Sequence, residues 1–255
     1  MNKWFDIKNQ ADKVLIYFYG DICMDEWGKW TDDDSCPSDI VKAIKEANGK
    51  PLEIHINSGG GSVFGGMAIY NVIKAYTGKK DVYVDGIAAS VASVIMFAGD
   101  TLNMPANATI MAHKPWSFAM GDESDMEAAK QSLITCYKSI LSVYGEHLAE
   151  GQTIEDLDAT IQQEKEVWRT GADAAKIFKF NLTGTSQMAA CAGISLDHWN
   201  KTPEGIPRAR AEPKAPDKLA NKPTEEPQTD ALDLELVSAF IFSENAAENE
   251  GSNEK

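Results

Sequence analysis

Four cysteines and four histidines in 255 residues leave little room for metal chemistry. Cys23, Cys36, Cys136 and Cys191 stand far apart, with no Cys-x-x-Cys pair and no His/Cys cluster at zinc spacing. Thiols so scattered read as reduced, and the expectation is an intracellular, cytoplasmic protein. No apolar run approaches the ~20 residues of a membrane-spanning helix. Residues 1–6 are polar and soon charged, unlike a secretory signal. Basic residues are in short supply: 24 Lys and Arg against 39 Asp and Glu give a formal net charge of -15. That balance disfavours general binding to nucleic acid or to an anionic membrane. Nucleotide signatures are missing too, with neither Gly-x-Gly-x-x-Gly nor Gly-Lys-Ser/Thr present. No metal and no cofactor are expected.

What the chain does have is an alternation of short apolar runs and helical patterns. Residues 14–20, 52–57, 82–84, 101–104 and 109–112 read as strands. Residues 40–45, capped by Ser38-Asp39 and ending near Asn48-Gly49, read as a helix, as do 63–73 and the small-residue, apolar stretch 90–98. Between the first strand and helix, residues 21–38 are acidic and turn-rich. A long helical stretch covers about 124–150, a shorter one 154–164 behind the cap residue Thr153, and a last one 173–178. Strands and helices alternating over short connections predict a layered α/β domain over residues 1–200.

Composition changes near Trp199. From Pro203 onward lie six of the ten prolines, with 12 acidic and 6 basic residues. Such a segment buries too little apolar surface to offset ordering, so residues 201–255 are expected to be an acidic, Pro-rich disordered tail. Inside it, residues 231–242 form one apolar segment, read either as a docking element or as a weakly structured stretch.

Three pieces carry chemistry. Gly59-Gly60-Gly61 separates a strand from a helix, and three glycines exceed what one tight turn needs. They suit a backbone that something approaches closely, as in an oxyanion hole. Ser90 follows Gly86-Ile87-Ala88-Ala89 and opens an apolar helix, where a nucleophile would sit beside free amides. An N-cap is the plain alternative for Ser90. Ser93 is the rival nucleophile, although a serine inside a helix tends to bond a preceding carbonyl. His113 ends an apolar run before Lys114-Pro115 and is the favoured base. Of the other histidines, His55 lies in a strand, whereas His147 and His198 have surface-like contexts.

Together and in this order, these pieces resemble the Clp-type serine peptidases, the proteolytic subunit of the caseinolytic protease, and within them the phage and prophage head maturation branch. The family's Asn-Ser-Pro-Gly-Gly-Ser motif matches residues 57–62, with Gly59 in place of proline. Its Gly-x-Ala-Ala-Ser motif matches 86–90, and its Ile-Met-x-His-x-Pro motif matches 110–115. The resemblance covers about residues 12–180. It implies Ser90 as nucleophile, His113 as general base, and the amides of Gly61 and Val91 as oxyanion hole. The family's acid is an aspartate, and the matching stretch here places Glu166 in that position, with Glu164 and Asp173 as fallbacks. It also implies a spiral of βαβ units whose subunits form homo-oligomeric rings. In that architecture the helix over 124–150 is a handle burying Leu133, Ile134, Ile140, Leu141, Val143 and Leu148.

The function expected is that of a serine endopeptidase acting on protein or peptide substrates, capsid or scaffold proteins in phage head maturation, with no nucleic acid and no membrane as partner. The resemblance allows an ATP-driven unfoldase by analogy with the housekeeping enzyme, but the expectation is that this branch works without one. Two other readings are kept. A crotonase-type acyl-CoA enzyme would share the fold and the amide hole, and a catalytically inactive assembly or scaffold protein would share only the shell.

Overall fold

The computed structural model describes residues 7–185 and residue 202. The chain divides into units Met1–Ala211 and Glu212–Lys255, and all described residues belong to the first. The expected tail, its segment 231–242, Cys191 and His198 therefore lie outside the described residues, apart from Thr202.

Strand β1 (Ile7–Asn9) runs antiparallel to β2 (Val14–Phe18), which begins a parallel run with β3 (Leu52–Ser58) and β4 (Lys80–Ala89). In β3, Leu52, Ile54 and Ile56 are at most 1% exposed while Glu53 and His55 face outward, as the period-two pattern requires. Each fully buried side chain of that size contributes roughly 1.5–3 kcal/mol of transfer free energy. Helix α1 (Pro37–Ala47) links β2 to β3, and α2 (Val63–Lys74) links β3 to β4. The start of α1 differs from the Ser38-Asp39 cap expected. Cys36 is the cap residue, Pro37 takes the first turn where its missing N–H costs nothing, and the Asp39 carboxylate accepts the Cys36 N–H at 2.9 Å.

Strand β4 is much longer than the three residues expected. It runs ten residues because it serves two partners in succession. Residues 81–83 pair with β5 (Thr101–Pro105), and residues 87–89 pair with β6 (Thr109–His113). Helix α3 (Val91–Ile95) and a 3-10 turn (Met96–Ala98) connect β4 to β5, and every residue of both is buried. Small and apolar residues on all sides make that possible.

Beyond β6 comes α4 (Glu123–Glu146), opened by a reciprocal cap between Asp122 and Asp125. It stops at Glu146 rather than Glu150, with His147 as C-cap. Only its second half meets the core. Ile140, Val143 and Leu148 just beyond it are buried as expected, but Leu133 and Leu141 are half-buried and Ile134 is 39% exposed. The expected burial was against a second ring, and among the described residues of this one chain the outer half of the helix stays largely exposed. Helix α5 (Ile154–Glu164) follows, capped by Thr153 as anticipated. Strand β7 (Glu166–Thr170) pairs antiparallel with β6, a short helix α6 (Gly171–Ala174) replaces the expected 173–178, and β8 (Asn181–Thr183) pairs with β5. Strands β1, β7 and β8 have no apolar run of their own; neighbouring strands impose them. The architecture is a mixed α/β fold in which successive βαβ units step along the sheet and α4 forms a handle.

Candidate active site

The C-terminal ends of β3, β4 and β6 meet at one edge, and the residues singled out from the sequence gather there. The register of β3 and β4 slips between Ile56 and Ser58. The fully buried Asn57 side chain compensates, its Oδ1 accepting the Ile87 N–H at 3.1 Å. Next to it, the buried Ser58 hydroxyl donates to the Gly20 carbonyl at 2.6 Å and accepts the Gly60 N–H at 3.1 Å. Two consecutive side chains thereby hold the turn into the glycines.

Those glycines are required by space and by backbone shape. Gly60 (φ +99°) has no room for a side chain: a Cβ there would lie 2.6 Å from the Ser90 Cβ and 2.7 Å from the Ala89 carbonyl oxygen. Gly61 (φ +141°) is bridged to Ile22, where a Cβ would fall 2.2 Å from the Ile22 carbonyl oxygen. Ile22 closes the bridge from both sides, donating its N–H to Gly60 at 2.8 Å and accepting the Ser62 N–H at 2.7 Å. No sequence pattern singled out Ile22, since its role depends on residues 19–36 folding back along the turn.

Ser90 adopts φ 54° and ψ -129°, a conformation costly for a residue with a Cβ. Its hydroxyl makes no helix-capping bond; Oγ lies 2.7 Å from Nε2 of His113. An ordinary N-cap would turn the hydroxyl toward the free amides of its own helix, so the geometry departs from the plain alternative. The strained backbone is held at both ends, the Ser90 N–H donating to Met111 at 2.9 Å and the Ser90 carbonyl accepting from the Ser93 N–H at 3.0 Å. Val91 opens α3, so its N–H is one that no helix carbonyl reaches.

Ser93, the rival serine, is fully buried, and its hydroxyl lies 2.5 Å from the Ser90 carbonyl and 2.6 Å from the Tyr144 hydroxyl. It is engaged as a helix-interior serine would be, turned away from the edge where His113 stands. Burial pushes the pKa of Tyr144 up to about 12, so its phenol stays protonated at neutral pH.

Of the three acids considered, Glu166 is brought closest in register. It stands directly opposite His113 in the β6–β7 pairing, and its carboxylate accepts the Trp168 indole N–H at 3.2 Å. Glu164 is held by Arg169 in a two-pronged pair at 2.7 and 3.0 Å. Asp173 lies in the first turn of α6, bound to Lys176 at 2.7 Å and capped by Thr170.

A cavity of about 560 Å³ opens beside Ser90 and His113. Val63, Phe64, Trp116, Leu133 and Cys136 give it apolar walls, with Gly61 on the near side. These wall residues were not singled out as a site; their signal is only nearness in sequence, Phe64 behind the glycines and Trp116 behind His113. Among the described residues, no group of His, Cys, Asp and Glu has the arrangement of a metal site, and no helix is long and apolar enough to cross a membrane.

Histidines elsewhere depart from expectation in one case. His147 is half-buried: its ring stacks on Phe97 at 4.7 Å, and its Nε2 is buried with no hydrogen-bond partner among the described residues. The surface-like reading missed this because helix α4 ends one residue before His147 and the ring turns inward over the 3-10 turn.

Comparison with known proteins agrees with the motifs. The chain is 30% identical over 128 residues to an ATP-dependent Clp protease proteolytic subunit of Bacteroides fragilis, covering 49% of this chain and 60% of that one. It is 29% identical over 129 residues to the protein of the same description in Porphyromonas gingivalis, covering 49% of this chain and 56% of that one. The chain thus spans less than two thirds of the length of these curated relatives. A solved structure of a ClpP1 mutant from Listeria monocytogenes aligns with 24% identity and a TM-score of 0.49, over 64% of this chain and 85% of that one. A family model described as Clp protease matches residues 4–177, and on that match the chain belongs to the Clp protease family.

Proposed function

We propose that this protein is a serine endopeptidase in which Ser90 is the nucleophile and His113 the general base. The observation that carries the reading is the 2.7 Å contact between Ser90 Oγ and His113 Nε2, made by a serine in a strained backbone that declines to cap its own helix. His113 takes the Ser90 proton as Oγ attacks the peptide carbonyl. The N–H groups of Gly61 and Val91 receive the oxyanion, which the chain can bring within reach because Gly60 and Gly61 carry no Cβ. Collapse of the tetrahedral intermediate expels the amine, which leaves with the proton held by His113. Water, activated by the same imidazole, then releases the acyl-enzyme. Glu166 orients the His113 ring and offsets its positive charge across the β6–β7 pair. A Ser–His pair of this kind is foreign to the acid-based chemistry of an acyl-CoA enzyme, which places the peptidase reading ahead.

The substrates are extended peptide segments of capsid or scaffold proteins during phage head maturation, with an apolar side chain in the cavity walled by Phe64, Trp116 and Leu133. Support for this branch is in the sequence: Gly59 stands where the family motif has a proline, Glu166 where it has an aspartate, and residues 21–38 are acidic and turn-rich. Homo-oligomeric rings are part of the same reading. Trp116, Phe118 and Met120 are 68%, 86% and 87% exposed beside the outer half of α4, a concentration of bare apolar surface that a second subunit would cover. The curated relatives are described as ATP-dependent. The peptide hydrolysis itself consumes only water, so an ATP-driven partner would serve delivery of the chain, not the chemistry. The site of action is the cytoplasm of a bacterial host.

Labelling with a fluorophosphonate probe, with the adduct located by peptide mass spectrometry, tests the reading. An adduct on Ser90 is expected in the wild type and in Ser93→Ala, and none in Ser90→Ala or His113→Ala. A folded wild-type protein that takes no label, or labelling that persists in Ser90→Ala, would refute it.

A further inference from the structure

A hydrogen-bonded chain leads from helix α4 to the nucleophile, and the direction of every bond in it is fixed. The Ser90 carbonyl oxygen can only accept, so the Ser93 hydroxyl, 2.5 Å away, must donate to it. With its one proton so used, Ser93 Oγ must accept from the Tyr144 hydroxyl at 2.6 Å. Tyr144 is 1% exposed and Ser93 fully buried, so neither exchanges its partner for water.

The carbonyl so held belongs to the same peptide unit as the Val91 N–H. In a trans peptide the C=O and the N–H point in opposite directions across a plane that resists twisting. Anchoring the Ser90 carbonyl inward, toward Ser93 and Tyr144, therefore aims the Val91 N–H outward, to the side on which Ser90 Oγ and His113 stand. Without that anchor the carbonyl keeps its backbone bond from the Ser93 N–H at 3.0 Å but loses its shortest tie, and in the strained region at ψ -129° rotation about ψ is the relaxation open to Ser90.

We propose that Tyr144, acting through Ser93, is a positioning residue for the oxyanion hole: it sets the aim of the Val91 N–H. This rests on the peptidase reading above. Neither residue touches substrate, and neither takes or gives a proton during the reaction. Their contribution is made before the substrate arrives, in keeping with the value of donors that need no reorganisation.

The test uses the full-length protein and the saturation kinetics of a fluorophosphonate probe, which separate initial binding from bond formation. In that reaction Ser90 Oγ forms the O–P bond, fluoride leaves, His113 takes the hydroxyl proton, and charge develops on the phosphoryl oxygen in the hole. Tyr144→Phe is expected to lower the limiting rate about 10-fold with the binding constant unchanged. That is less than the 10²–10³-fold seen on removing a donor outright, because the Ser93 N–H still holds the carbonyl. The pH profile should keep its midpoint, since the Ser90–His113 pair is untouched, and the fraction of protein finally labelled should equal that of the wild type. Ser93→Ala should cost a similar factor, and the double variant little more than either, as two links of one chain. Wild-type rates in Tyr144→Phe, or a loss that appears only as a smaller labelled fraction, would overturn the proposal and leave the peptidase reading standing. A wild type that never reacts would overturn both.

Discussion

Glu166 and His113 face each other as directly paired residues of antiparallel strands β6 and β7. A pair set by backbone register puts the two side chains on the same face of neighbouring strands with no loop between them. Glu166→Gln should therefore lower the fluorophosphonate labelling rate by about 100-fold or more, since loss of the orienting charge is costly in Ser-His-acid sites. Glu166→Asp should retain most of the rate, the shorter acid being the one the family uses. Glu164→Gln and Asp173→Asn, whose carboxylates serve Arg169 and Lys176, should change it less than about threefold. A strong effect of Glu164→Gln with none from Glu166→Gln would reassign the acid.

Gly60 is expected to tolerate no substitution. Alanine there would place a methyl 2.6 Å from the Ser90 Cβ in a backbone conformation at φ +99°. Gly60→Ala should destabilise the fold by about 1–3 kcal/mol and abolish labelling of Ser90. Thermal unfolding read beside labelling checks both. A variant that keeps wild-type reactivity would show that the turn can retreat from Ser90.

The two described histidines outside the site should respond to pH with opposite sign. Burial draws the pKa of His55 down, but the hydrogen bond and charge of Asp85, 2.8 Å from Nδ1, and of Glu53 outweigh it, so the net shift is upward. The groups around it are Tyr17 and Tyr83, stacked on either side of the ring, and Lys13, which also holds Glu53. A base with a raised folded-state pKa binds protons better in the native state. Its contribution is full below the unfolded value of about 6.5 and is lost as pH rises through the folded pKa. For His147, burial lowers the pKa. There the native state resists protonation, and stability is lost as pH falls below about 6.5. Denaturant midpoints measured from about pH 8 to about pH 5 should show the gap between wild type and His55→Gln widening toward acid, and His147→Gln relieving part of the acid-side loss. Parallel curves for wild type and His55→Gln would mean the Asp85 contact adds nothing.

If rings assemble through the handle, charge placed on its bare apolar surface should separate subunits without unfolding them. Phe118→Glu with Met120→Glu alters two side chains that are 86% and 87% exposed and pack on no core residue. Sedimentation should show a smaller particle while the thermal midpoint of the subunit stays nearly unchanged. An unaltered particle would place the subunit contacts elsewhere.

The parallel core was legible because each strand from β2 to β6 has an apolar run ended by a turn signal, and Ser90 and His113 were legible because each ends or follows such a run. Strand β7 was not, since Glu166-Val167-Trp168-Arg169-Thr170 buries little on its own and becomes a strand only beside β6. Ser93 was read correctly as tending to bond a preceding carbonyl, but its partner Tyr144, 51 residues on, left no trace in the local sequence. The length of β4 was underestimated because Asp85 and Gly86 interrupt its apolar pattern at the point where it changes partners. The inward turn of His147 likewise depends on where a helix ends, which periodicity fixes poorly.

Because β4 passes from one partner strand to the next and then delivers Ser90, that serine hangs from a strand tied to three neighbours. A switch that works by melting the nucleophile's own strand would have to dismantle the domain. On the proposed reading, latency would act from the periphery, by parting strands β6 and β7, which carry His113 and Glu166, or by loosening residues 19–36 from the glycines. Those two flanks are where an inhibitor, a neighbouring subunit or a processing event would have leverage over the proposed reaction.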